Sequence, residues 1–225
     1  MSVVEHSMSV SLMIQILTGI ITLRGSFMDG PKPLKDIIKL ETAVQFIEAA
    51  FYAWAINSAI ELKTLASKRY SDWVLTTPTM LVSTIMYMRY LEGQDVNWKE
   101  VPEILAYNLG MLVFGYMGEV GILSKTASIT LGFACFARSF HLIYTKFGKN
   151  TEGGKKLFQF MFIVWGLYGV AATLPDVHKN VSYNMLDIVA KNFYGIYIVY
   201  KLYDSNKPVL QASNSGDEHN ELLQD

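Results

Sequence analysis

Seven apolar stretches of the length needed to cross a bilayer, roughly 20 residues, follow one another along this chain. They lie at 7–25, 36–62, 69–91, 101–122, 126–147, 156–175 and 181–203. In hydrocarbon the backbone must satisfy its own N–H and C=O groups, which only helices and closed barrels do. Segments this long predict helices, so the expected fold class is an all-α membrane protein, a seven-transmembrane helix bundle. Turn formers separate the stretches, among them Gly30, Pro31 and Pro33, Gly93 to Asn97, Gly148 to Gly154, and Pro175. The connections are short, so sequential helices should pack antiparallel.

With 51% hydrophobic and 17% charged residues, the chain is too apolar for an ordinary soluble domain. Residues 1–204 are expected to form the membrane domain. The polar stretch 205–225 carries Asp217, Glu218, Glu221 and Asp225 and is expected to be a disordered cytoplasmic tail, because it lacks apolar area to offset its ordering entropy.

A net charge of −1 leaves no basic field for nucleic acid, and the single Cys135 cannot form an intrachain disulfide. No cysteine and histidine cluster has metal-ligand spacing. The segment before the first stretch lacks the basic start of a cleaved signal peptide, so this stretch reads as an uncleaved span. Of the nineteen Lys and Arg, twelve fall on the side of Arg24, Lys32 and Lys201 and five on the side of Lys63, Lys68 and Lys125. That asymmetry predicts an extracellular N-terminus and a cytoplasmic C-terminus.

The last stretch holds Asp187 and Lys191 one helical turn apart, hence on one face. An ionisable pair at membrane depth is costly and marks a functional site, although a buried pair can also serve helix packing alone. On the third stretch Arg69, Asp72, Thr76 and Ser83 fall within about 60° of one another at helical spacing, a polar line that turns to the bundle interior. A desolvated lysine can form a Schiff base with an aldehyde. Once protonated, that imine needs a carboxylate nearby, which Asp187 and Asp72 could supply with Arg69 balancing the charge. Trp73, Trp165 and Tyr168 offer aromatic walls, a pattern that by itself more often means core.

Taken together, Arg69-Tyr70-Ser71-Asp72-Trp73 with Thr76-Thr77-Pro78, Trp165 with Tyr168, and Asp187 through Lys191 resemble the microbial (type 1) rhodopsins. The resemblance covers the whole seven-span core. It implies all-trans retinal bound covalently to Lys191 as a protonated Schiff base, a counterion formed by Asp72 and Asp187 with Arg69 beside it, and a retinal pocket lined by Trp73, Thr77, Trp165 and Tyr168. It also implies a photoreceptor that is not an enzyme. Two departures stand out. The proton-donor position of outward pumps is Ser83, and a hydroxyl is no comparable acid. After Tyr168 the family's proline and second tryptophan are Gly169 and Ala172, which predicts a looser pocket.

Two further polar lines point to ions. Glu41, Gln45, Glu48 and Tyr52 share one face of the second stretch within about 60°, and Ser11, Gln15, Thr18 and Thr22 repeat the spacing on the first. Such Ser, Thr and Gln groups are common interhelical glue, whereas carboxylates at membrane depth are costly unless hydrated, paired or protonated. The glutamate row, with Asn192 directly after Lys191, resembles the cation-conducting channelrhodopsins. The short chain with Glu41 and Glu48 is similar to the rhodopsins of large DNA viruses, one group of which is regarded as light-gated cation channels. The expected function is therefore a light-gated cation channel with Glu41, Gln45, Glu48, Ser11 and Asn192 on the ion pathway. The alternatives are an outward proton pump and a photosensor with negligible ion flux. The expected partners are membrane lipid and monovalent cations or protons, with a homo-oligomer open, in a host cell membrane for a viral member.

Overall fold

The computed structural model of the protein describes residues 2–58 and 61–206. Seven helices follow in order: α1 Val3–Ser26, α2 Lys32–Asn57, α3 Leu62–Glu92, α4 Val101–Glu119, α5 Lys125–Ile143, α6 Glu152–Ala171 and α7 from Asp176. The last continues from Asp176–Asp187 through a wider π turn at Ile188–Asn192 and on as helix over 193–206. A second π turn, Tyr144–Gly148, closes α5. Residues 205 and 206 are therefore helical; the rest of the expected tail lies outside the described residues.

All the helices but α4 begin before the apolar stretches, because capping and first-turn polar groups belong to the helix but not to the hydropathy signal, whereas α2, α4 and α6 end at Asn57, Glu119 and Ala171, short of the expected 62, 122 and 175. Ser2 caps α1 in a reciprocal capping box with Glu5, Ser124 and Thr151 accept from the first turns of α5 and α6, and Pro175 leads into α7 with Asp176 in its first turn. Gly93 ends α3 at φ 67°, a left-handed position that a side chain would disfavour.

Only two of the described helical segments, Val3–Ser26 and Lys125–Gly148, are long and apolar enough to cross a membrane on hydropathy alone. The physical reason is an inside-out distribution. On α1 the polar Ser7, Ser11, Gln15, Thr18 and Thr22 are buried while Val10, Met13, Leu17 and Ile20 are exposed. On α2 Glu41, Gln45 and Glu48 are fully buried. Charged and amide groups on inward faces lower the hydropathy of helices whose outward faces remain apolar.

The end of the bundle carrying the N-terminus is called here the near end, and the opposite end the far end. The main apolar core occupies the far half, joining Leu34 and Ile38 of α2, Leu81 and Ile85 of α3, Phe140 of α5, Met161 of α6, and Ile198 and Leu202 of α7. Smaller clusters around Phe51 and Tyr52, and around Trp73 and Tyr183, close the near half. The polar faces of α1, α2, α3 and α7 meet between them.

Gly25 lets α1 approach α7, since a Cβ there would stand 2.9 Å from Val199 Cγ2. Gly25→Leu is expected to overpack this crossing and cost about 1–3 kcal/mol, measured as a lower thermal melting point of the purified protein.

Candidate functional site

Lys191 Nζ lies among three carboxylates contributed by three helices. It is 2.5 Å from Glu48 Oε1 of α2, 3.3 Å from Asp72 Oδ2 of α3 and 3.1 Å from Asp187 Oδ1 of α7. All four side chains are almost wholly buried. The i,i+4 spacing on α7 brings Asp187 to Lys191, and the polar line of α3 brings Asp72 across from them. Arg69, also fully buried, supplies the second cation, with Nη1 at 3.3 Å from Asp187 Oδ2. Charges removed from water this completely persist only when paired and hydrogen-bonded.

Asp187 is the best supported of the three. Tyr52 donates to its Oδ2 at 2.6 Å and Tyr168 to its Oδ1 at 2.7 Å. Arg69 in turn donates to Asn184 Oδ1 and, at 3.1 Å, to the Tyr52 hydroxyl. Asn184 reaches α1 by donating to Ser7 Oγ at 2.7 Å, and Ser11 donates to the Asn184 carbonyl at 2.8 Å. The near half below Lys191 is thus closed by a continuous set of hydrogen bonds across α1, α2, α3 and α7.

On the other side of Lys191 a cavity of about 350 Å³ opens between α3, α4, α5 and α6. Trp73, Thr77, Trp165 and Tyr168 all line it, together with Met80, Phe133 and Lys191 itself. Trp73 meets Tyr168 edge-on, ring centroids 5.6 Å apart, and Thr77 donates to Asn108 Oδ1 at 3.0 Å, fixing that wall to α4. The expectation of a looser pocket beside Gly169 is corrected here. A methyl group added at Gly169 would collide with the Phe133 ring, so α5 fills the room that the glycine leaves.

A third arrangement lies on the α1, α2 and α7 side. Asn192 Nδ2 donates to Gln15 Oε1 at 3.0 Å and to Gln45 Oε1 at 2.9 Å. Toward the far end Ser83 donates to the Glu41 carboxylate.

The bacteriorhodopsin-like protein family matches residues 4–204, nearly the whole chain. The chain belongs to that family. Members of this bacteriorhodopsin-like family carry retinal on a lysine as a Schiff base, and Lys191 is the lysine that this chain presents to the aromatic cavity. The cavity beside Nζ and its wall of two tryptophans and a tyrosine fit an apolar polyene aldehyde, so the cofactor is all-trans retinal on Lys191. The protein is a membrane protein of rhodopsin type.

Among solved structures it is similar to the viral rhodopsin OLPVRII, with a TM-score of 0.85 and 31% identity over 88% of this chain and 96% of that one. The blue light-absorbing proteorhodopsin from Med12, at 16% identity, shares the fold with a TM-score of 0.76 over 92% of this chain and 100% of that one. The green-light absorbing proteorhodopsin of Gamma-proteobacterium EBAC31A08 is 26% identical over 147 residues. That match spans 58% of this chain and 58% of the relative.

The structure brings Lys191, Asp72, Asp187 and Arg69 into one cluster and Trp73, Thr77, Trp165 and Tyr168 around one cavity. Gln45 and Asn192 meet directly. Ser11 instead bonds to the α7 backbone, and Glu48, read from the sequence as a pathway residue, reaches Lys191 Nζ. Asn184 was not singled out, although it lies one turn before Asp187 on the same face and could have been found by that spacing. Arg138 pairs with Glu103 at 2.9 Å and Glu119 with Lys179 at 2.8 Å, structural ties between helices.

Lys191→Ala is expected to leave the protein without a visible band after addition of retinal, as read by absorption spectroscopy. Glu48→Gln should keep the band but move it to longer wavelength, because removing a carboxylate next to the cationic nitrogen frees charge to spread along the polyene. An unmoved band would separate Glu48 from the chromophore.

Proposed function

We propose that the protein is a light-gated cation channel whose path runs between α1, α2 and α7. The observation that carries this reading is the carboxamide cluster of Gln15, Gln45 and Asn192. Both glutamine oxygens accept from the one Asn192 amide, while Gln15 Nε2, Gln45 Nε2 and Asn192 Oδ1 remain buried without hydrogen-bond partners. Three amides in this geometry cannot satisfy one another, and unpaired polar groups at membrane depth are costly. Parting the helices would let water and an ion's oxygen shell meet those groups. The cluster is therefore a constriction that is closed at rest and readily hydrated.

Glu48 on its near side and Glu41 toward its far side set the sign of the permeant ion, since carboxylates along a path favour cations. Retinal supplies a light-driven change of shape at Lys191 Nζ. Asp72, Asp187 and Glu48 hold the charge there, and the movement passes to Asn192 through the shared backbone. We orient the near end outside the cell and the far end in the cytoplasm on the Lys and Arg asymmetry, and the likeness to a viral rhodopsin supports a host membrane.

A specific contact favours an outward proton pump as the second reading. Glu41 of α2 bonds to Ser83, so a carboxylate from the neighbouring helix stands where the serine alone could supply no acid. Among solved neighbours, the Coccomyxa subellipsoidea rhodopsin is described as a light-driven proton pump; at 17% identity it shares the fold. A photosensor is the reading left if light evokes no current.

Voltage-clamp recording under illumination decides among them. A photocurrent that reverses sign with membrane voltage is expected, whereas current that stays outward at every voltage would replace the channel with the pump. Asn192→Leu, which removes the shared donor, should change the light-evoked conductance by about tenfold or more, the effect of roughly 1.4 kcal/mol on a barrier, with the visible band retained.

A further inference from the structure

One turn beyond Lys191, α7 places Tyr194 in the far-half core with only 2% of its surface exposed. Its hydroxyl lies beside those of Ser83 and Thr84 on α3 and near the Glu41 carboxylate of α2, yet makes no hydrogen bond of normal geometry with any of them. A phenylalanine would fill the same apolar space without burying an unpaired hydroxyl. Thr84 Oγ1 and Glu41 Oε2 are likewise buried and unpartnered. Ser83 has one proton to give and two acceptors within reach, the Glu41 carboxylate and, at 2.9 Å, the Met80 carbonyl, so it cannot serve the second carboxylate oxygen.

Three buried oxygens from three helices, the Tyr194 hydroxyl, Thr84 Oγ1 and Glu41 Oε2, therefore stand near one another without a hydrogen bond of normal geometry. Sites of this kind hold an ordered water, which needs a few polar partners and is costly to remove. We propose that Tyr194 and Thr84 hold a water molecule against Glu41 Oε2, and that Tyr194 is thereby a positioning residue for the proton that Glu41 returns to Lys191 Nζ.

In that transfer the carboxyl O–H bond breaks and an N–H bond forms at Nζ. The carboxylate left behind accepts hydrogen bonds from Ser83 and from the water that Tyr194 orients. The group that stabilises the product of the transfer is thus fixed in place before light acts. This inference rests on the second reading above, in which Glu41 is the acid that returns the proton to Lys191 Nζ; the hydration site itself is tested apart from it, in the retinal-free protein.

The test uses Tyr194→Phe and, as a second probe of the same water from α3, Thr84→Val. In the retinal-free protein at acidic pH, the infrared carbonyl band lost in Glu41→Gln identifies the protonated Glu41. That band should move to higher frequency in both variants as its hydrogen bond is lost. In the retinal-loaded protein, flash photolysis should show return of the proton to Nζ slowed by about fivefold in Tyr194→Phe, the weight of roughly one hydrogen bond. A small weak acid such as azide, added to the medium, should restore the rate. A Glu41 band that stays in place in both variants overturns the hydration site, even if no light-driven step is found. A shifted band with an unslowed proton return overturns the positioning role.

Discussion

The electrostatics of Lys191 dominate this bundle. A buried lysine with an arginine close by and three carboxylates around it cannot be assembled by two helices alone. α2 must present Glu48, α3 must present Asp72 and Arg69, and α7 must present Asp187. Losing either cation would leave three buried carboxylates facing a single positive charge, and buried charge without a partner is costly. The relative rotation of three helices about their own axes is therefore fixed by one cluster, and the remaining contacts have to accommodate it.

That fixed rotation divides the molecule by polarity. The faces of α3, α4, α5 and α6 beside Lys191 are mainly apolar and aromatic and leave the cavity into which Trp73, Trp165 and Tyr168 project, while Lys63, Glu119, Lys125 and Lys179 line its near end. The faces of α1, α2 and α7 carry amides and hydroxyls and close on one another. The aromatic cavity and the amide cluster thus lie on different sides of one lysine-bearing helix. Tyr168 and Asp187 join the two sides, because the tyrosine lines the cavity and donates to the carboxylate at 2.7 Å.

Periodicity made the helices and the inward faces legible, since 3.6 residues per turn places Glu41, Gln45, Glu48 and Tyr52 on one side of α2 whatever that side meets. What periodicity does not contain is the neighbour. Glu48 reads as one of a row, and only the rotation and height of α2 against α7 place it at Nζ while Glu41, two turns away, meets Ser83. The same limit applies to Gly169. A missing side chain looks like free volume until the opposing helix is known, and here Phe133 occupies it. The cofactor lysine, by contrast, was legible through the family resemblance carried by the third, sixth and seventh stretches, since the charged pair in its span also allowed a packing role.

The π turn at Ile188–Asn192 ties the two halves together mechanically. The Phe193 N–H bonds to the Ile188 carbonyl, five residues back, so this turn of α7 is wider than its neighbours and holds one more residue. Within it Lys191 points to the carboxylates and the cavity, and Asn192 points to Gln15 and Gln45. In a regular helix a displacement at one position is absorbed by the uniform ladder of bonds on either side. A π turn already departs from that ladder and can relax toward the regular form by shifting a single residue. A force applied at Lys191 Nζ is therefore borne by the segment that also holds the Asn192 amide against Gln15 and Gln45.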